Sequence, residues 1–150
     1  MLHHFNGDKN IVQINSSFTK LTGTIRGLHL QHSPHEEDKI VRCIAGKIFD
    51  VMLDLRLGST TYGKWQSVML DAQKMNMVYV PKGFAHGFQV LSDEAIVIYH
   101  VTKVHSPEHD AGIRWDSAGI EWPITSSIVS QRDSSHNLLS EFDSPFRFSD

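Results

Sequence analysis

Two histidines stand in glycine-bearing segments that read as strand and strand end, His29 in RGLHLQ and His86 in PKGFAHGF. Imidazole titrates near neutral pH, so such a pair can either ligate a metal or move protons. A catalytic transition-metal site generally takes three good protein ligands. These segments supply two, and the nearby His32 and His35 of HLQHSPH, separated by serine and proline, read as a solvated loop at a strand end. No metal is expected, and proton transfer is the alternative. A histidine base needs a carboxylate to orient it, an acid to return the proton, and cations to hold an anionic substrate. Asp133, Tyr99, Arg26 and Lys39 are candidates of the right chemical types. Each also has a plainer reading: Tyr99 as a core tyrosine, Asp133 as a cap or turn residue, Arg26 as a surface group. Spacing alone does not bring the five together.

The elements that must position them read as strands. In KIFDVMLDLR, Phe49, Val51, Leu53 and Leu55 alternate with Asp50, Met52, Asp54 and Arg56, which predicts a strand with one apolar and one polar face. KWQSVML, MNMVYV, GFQVL and AIVIYHVTKV are rich in β-branched and aromatic residues, and Gly58, Asp71, Pro81, Gly83 and residues 92–94 punctuate them. No amphipathic helix is evident before residue 110. Short strands at close intervals predict an all-β sandwich or barrel, and 150 residues suit a single domain. The tail from Ser126 is rich in serine and aspartate, and its SSIVSQRD segment is read as a short turn or helix that carries Asp133 back toward the sheet.

Composition removes several functional classes. A formal net charge of −3 with scattered lysines and arginines offers no basic face for nucleic acid. The single cysteine, Cys43, excludes an internal disulfide framework, and the opening residues lack the order of a signal peptide. No apolar run approaches the roughly 20 residues of a membrane helix. A cytoplasmic protein with no membrane or nucleic-acid partner is expected. Among the ten histidines, the neighbouring His3 and His4 read as a surface or engineered cluster.

A β-barrel with His29 and His86 so placed resembles the cupin superfamily in part. Pro81, Gly83 and His86 match its later motif, whereas the His-x-His of the first reads His29, Leu30, Gln31. A closer likeness lies in TIRGLHLQ, DKIVRCIAGKIFDVMLDLRLGSTTYGKW, VYVPKGFAHGFQVLSDEAIVIYHVT, SPEHDAGIRWD and GIEWP, which occur in the order found in the dTDP-4-dehydrorhamnose 3,5-epimerase family. The resemblance spans residues 10–133. It implies a cupin-type jelly roll (a double-stranded β-helix) with a short C-terminal helical or loop segment, usually a homodimer, acting on a nucleotide sugar without metal or cofactor. It assigns His29 as the base, Asp133 of SQRD as its partner and Tyr99 as the acid acting from the opposite side. Arg26, Lys39, His86, Gln13 and Asn15 match substrate-site positions. The implied reaction is inversion at C3, C5 or both of a 4-keto-6-deoxyhexose through an enolate, in deoxysugar biosynthesis.

The chain also departs from the family pattern. MLHHFNGDKNIVQIN begins after the usual DxRGxFxE-like motif, so contacts to the nucleotide and across the dimer are expected to differ. The Gln-Asp-Asn-His run is reduced to Gln13, Ile14, Asn15 and Ser16. Val104 and His105 replace paired tyrosines, with His105 a partial substitute at the substrate, Asp110 replaces a glutamate, and WDSAGI is a shortened loop. Altered surroundings with His29, Tyr99 and Asp133 retained also suit a mono-epimerase on a CDP- or GDP-linked sugar. A non-catalytic sugar-nucleotide-binding cupin is the alternative outside that class.

Overall fold

In the computed structural model, which describes residues 10–148, the alternating segments become two facing sheets. His3 and His4 lie outside the described residues. One sheet has the order β1 (Gln13–Thr19), β8 (Ala95–Val101), β3 (Lys39–Ala45), β6 (Met77–Val80). The other has the order β10 (Ile128–Val129), β2 (Thr24–Gln31), β7 (Phe84–Val90), β4 (Lys47–Asp54), β5 (Trp65–Asp71), and β9 (Asp110–Gly112) also pairs with β2. Pairing is antiparallel except between β10 and β2. This is a cupin-type jelly roll. Among the described residues the one α-helix is α1 (Gln131–Ser134), capped by Ser130, whose hydroxyl accepts from the Asp133 N–H. SSIVSQRD, read as a short turn or helix, contains β10 and then the first residues of α1. No helix among the described residues is long and apolar enough to cross a membrane.

Apolar residues fill two spaces. Between the sheets, Val41, Cys43, Ile48, Leu70, Val80, Phe88, Val90 and Val97 form the inner core. On the far side of the larger sheet, Leu28, Leu30, Val51, Leu53, Leu55 and Ala85 pack against Ile120, Trp122, Leu139, Phe142 and Phe146 of the returning chain. The polar-looking tail is therefore a cover for that sheet.

β4 has the apolar and the polar face read from its sequence. Its Asp50 and Asp54 face is not solvated: the two side chains are 0% and 1% exposed. Burial is sustained because each carboxylate is paired, Asp50 with His86 and Asp54 with Arg56. The Asp54 carboxylate accepts from the Arg56 backbone and guanidinium and from the hydroxyls of Ser59 and Thr61, at 2.7–2.9 Å. It thereby ties down the loop after β4, while the Arg56 guanidinium lies 4.5 Å from the Phe84 ring centroid.

Burial pushes the Asp54 carboxyl up, but the Arg56, Thr61 and Ser59 bonds outweigh it and hold the group well below the ordinary 3.8. A depressed folded-state pKa contributes stability above pH 3.8, and that contribution falls away as acid protonates the group. Asp54→Asn is expected to cost about 3 kcal/mol near neutral pH, because it leaves Arg56 beside a neutral amide. Urea denaturation should show the gap between variant and parent narrowing below the ordinary aspartate pKa. A gap independent of pH would remove the ionised carboxylate from this account.

Candidate functional site

Arg26 and His29 are three residues apart, which in a regular strand would point them to opposite faces. The register between β2 and β7 corrects this: Arg26 pairs with Phe88 and His29 with His86, so three steps on β2 match two on β7. The extra residue is a β-bulge, and it turns both side chains into the space between the sheets. Glycine makes it feasible. Gly27 has φ +126°, and a Cβ there would lie 2.6 Å from the Cα of Gly87. The glycines of RGLH and FAHGF are thus opposed across two strands, allowing the backbones the approach that the bulge requires.

Asp133 reaches the bulge from α1. One carboxylate oxygen lies 2.7 Å from His29 Nε2, and the other accepts the Gly27 N–H at 3.0 Å. Burial pushes its carboxyl up, but the bonds from His29 and Gly27 outweigh this and keep the group below the usual carboxylate range. With Nε2 engaged, Nδ1 is the His29 nitrogen left to accept a proton. His136 stands on the other side of the same carboxylate, its Nε2 3.6 Å from Asp133 Oδ1.

Tyr99 enters from the facing sheet. Its register partners are Asn15 on β1 and Val41 on β3, and its hydroxyl bonds to Ser17 Oγ at 3.0 Å. Its ring packs on the inner core and meets His86 edge-on, with centroids 6.2 Å apart. Burial pushes the phenol pKa well above its usual value, more than the Ser17 bond lowers it. The hydroxyl therefore carries its proton at neutral pH. Tyr99 thus packs on the inner core, as its plain reading has it, and also lines a cavity.

A cavity of about 260 Å³ between the sheets collects these groups. Of the residues singled out in the sequence, Asn15, Arg26, His29, Lys39, His86, Tyr99 and His105 line it. Asp133 sits behind His29. Gln13 is not on the wall: it donates to Asn15 Oδ1 at 2.6 Å and accepts the His105 N–H at 3.0 Å, bracing two residues that are. Arg26 Nε donates to Thr19 Oγ1 at 2.8 Å, and Lys39 Nζ lies 3.2 Å from Glu37 Oε1.

Asp50 is the main residue that sequence reasoning missed. It lies 2.9 Å from His86 Nε2 and forms a second His-Asp pair, whose members are 4% and 0% exposed. Its signal is present in DVMLDLR as an aspartate at an alternate position, on the face read as polar. Glu37, Ser17 and Gln31 were also missed. Gln31, where cupins place a second histidine, accepts the Ser106 N–H at 2.7 Å and donates to the His35 carbonyl at 3.0 Å, a bracing role.

The chain is similar to known proteins in both sequence and fold. The family model described as dTDP-4-dehydrorhamnose 3,5-epimerase matches residues 2–141. A relative of that name from Sinorhizobium fredii is 44% identical over 144 residues, covering 94% of this chain and 74% of that protein. Another, from Shigella flexneri, is 44% identical over 113 residues and is spanned for only 62% of its length. A crystal structure of the Legionella pneumophila dTDP-6-deoxy-D-glucose-3,5-epimerase in complex with dTDP-4-keto-L-rhamnose superposes with a TM-score of 0.89 at 36% identity, covering 95% of this chain and 78% of that one. On sequence and fold together, the chain belongs to the dTDP-4-dehydrorhamnose 3,5-epimerase family.

Proposed function

We propose that this protein is a single-domain cytoplasmic epimerase that inverts C3 and C5 of a dTDP-linked 4-keto-6-deoxyhexose by proton removal and return. One observation carries the reading: a histidine held by a buried carboxylate and a protonated phenol line one cavity from opposite sheets. Inversion requires that arrangement, because the proton must leave one face of the sugar ring and return to the other.

The chemistry suits the residues. C3 and C5 both flank the C4 carbonyl, so loss of a proton from either gives an enolate whose charge the carbonyl oxygen shares. His29 takes the proton at Nδ1 while Asp133 fixes the ring's orientation and stabilises the imidazolium. Lys39 and Arg26 are cationic donors for the developing oxyanion, a contribution of several kcal/mol in a preorganised site. His86 is a weaker candidate: when its Nε2–H is given to Asp50, its Nδ1 can donate only as imidazolium. Tyr99 then protonates the far face. No step calls for a cofactor.

The test is exchange in heavy water with dTDP-4-keto-6-deoxyglucose and no reductase, followed at each carbon by NMR and mass spectrometry. Deuterium is expected at C3 and C5 and is abolished in His29→Ala. Label at one carbon would make the protein a mono-epimerase, and none with any nucleotide sugar would overturn the catalytic reading. Asp133→Asn should slow exchange by about 10²- to 10⁴-fold, since the imidazolium loses its counter-charge. In Tyr99→Phe, inversion should fall more than exchange. Equal loss of both would show that the phenol does not act after deprotonation.

A homodimer is part of the same proposal. The outer face of the smaller sheet exposes Ile14, Phe18, Ile44 and Met77 at 63%, 49%, 45% and 37%. Arg42 Nε and His100 Nδ1 on that face are buried with no hydrogen-bond partner. A second copy would cover the apolar residues and offer acceptors or donors to these two. Phe18→Asp is expected to convert a dimer to a monomer in light scattering with little change in far-UV circular dichroism. An unchanged mass would move the interface to another surface.

A further inference from the structure

We infer that His29, Asp133 and His136 form a binding site for a zinc-like divalent cation, one that competes with the proton-transfer role of the same histidine. Among the described residues this is the one group of three such ligands whose donor atoms all lie within 4.8 Å of one another. Two imidazole nitrogens and a carboxylate oxygen are a common tridentate set for zinc, with a fourth position left for water.

The third ligand makes the site more than a catalytic dyad. His136 Nε2 is buried and has no hydrogen-bond partner, although it lies 3.6 Å from a carboxylate oxygen. A buried donor or acceptor left unmade is costly, and a metal ion would satisfy it as a ligand. Its ring is also held in place. A bridge between Ile113 and Asn137 and the Arg114 N–H bonded to the Asn137 carbonyl at 2.9 Å fix the backbone beside it. Gly112 supplies the room: a Cβ there would lie 2.5 Å from His136 Cδ2 and Nε2. Asp133 lies on α1, His29 on β2 and His136 in the turn after α1, so a small opening of the 2.7 Å contact between His29 and Asp133 suffices to admit an ion at about 2.0–2.1 Å from each donor. Arg132 stands nearby but is paired with Asp110, so its charge does not face the site uncompensated.

The consequence for catalysis rests on the reading of His29 as the base. Binding the ion at Nε2 of neutral His29 requires its proton to reside on Nδ1, the nitrogen that must be empty to accept a proton from the sugar. The same ion withdraws Asp133 from the histidine. Zinc is thus an inhibitor of this chain and not its cofactor.

The experiment is titration of chelator-treated protein with Zn²⁺ against a chromophoric competitor, and with Co²⁺ by visible absorption, in a His3→Ala/His4→Ala background. One ion per chain is expected. His136→Ala and His136→Gln should each raise the Kd at least about tenfold, since even outer-shell partners of a metal are typically worth 10–100-fold. His32→Ala should leave it unchanged, and circular dichroism checks that each variant is folded. Equal affinity in the parent and both His136 variants, or no saturable binding, would overturn the site. Zn²⁺ bound at these residues without slowing deuterium exchange in an active preparation would overturn the competition alone, leaving both the site and the epimerase reading intact.

Discussion

The Asp133 carboxylate is the constraint on which the site depends. Its two oxygens hold two parts of one strand segment, the backbone of Gly27 and the ring of His29. A bulge leaves an N–H outside the regular strand ladder, and a buried N–H must find an acceptor. Asp133 meets that need and orients the histidine in the same act. The bulge, the histidine's aim and the position of α1 are therefore one structural decision. Removing the carboxylate would loosen all three together, whereas removing His29 would leave the Gly27 bond in place.

That decision is supported by a division of labour between the two sheets. The larger sheet carries His29, Arg26 and His86, and its outer face is sealed by the chain that returns from residue 113 onward. The smaller sheet carries Tyr99, Lys39 and Asn15, and its outer face is apolar and open. Each sheet gives one end of its inward face to the cavity and the rest to core packing. Polar groups at a cavity wall weaken the core they displace, which is why so many are paired: Lys39 with Glu37, Arg26 with Thr19, Asn15 with Gln13. The covering tail offsets this by giving the larger sheet a second apolar layer.

The division also explains what the sequence disclosed. β4 to β8 were legible because each has one mostly apolar face, the inward one in β5 to β8 and the tail-covered one in β4, so the period of two stands out. β1 and β2 place Gln13, Asn15, Ser17, Arg26 and His29 where a strand pattern calls for apolar residues, and the bulge at Gly27 shifts the phase as well. The two strands that carry Asn15, Arg26 and His29 are thus the ones least like strands. Family motifs singled out His29, Tyr99 and Asp133, and SSIVSQRD was legible only as a short turn or helix. Asp50 stayed hidden because an aspartate on an alternating strand ordinarily marks solvent. Its pairing depends on a histidine 36 residues away. His136 was equally out of reach, since its place beside Asp133 depends on space left by Gly112.

On the proposed reading, with His29 as the base, the two His-Asp pairs put similar chemistry to different work. His29 and His86 are register partners on adjacent strands, and each has Nε2 against a buried carboxylate. Yet the His29 side chain is 32% exposed and that of His86 is 4%. A base must meet its substrate and shed its proton between turnovers, which requires access to the cavity and to water. His29 has both. His86 is packed against Tyr99 and paired with Asp50, an environment that fixes the shape and polarity of the wall. The difference arises from placement: Asp133 arrives on a helix at the edge of the sheet, while Asp50 sits on a central strand. A residue pair of one type becomes reactive or architectural according to which side of it the fold leaves open.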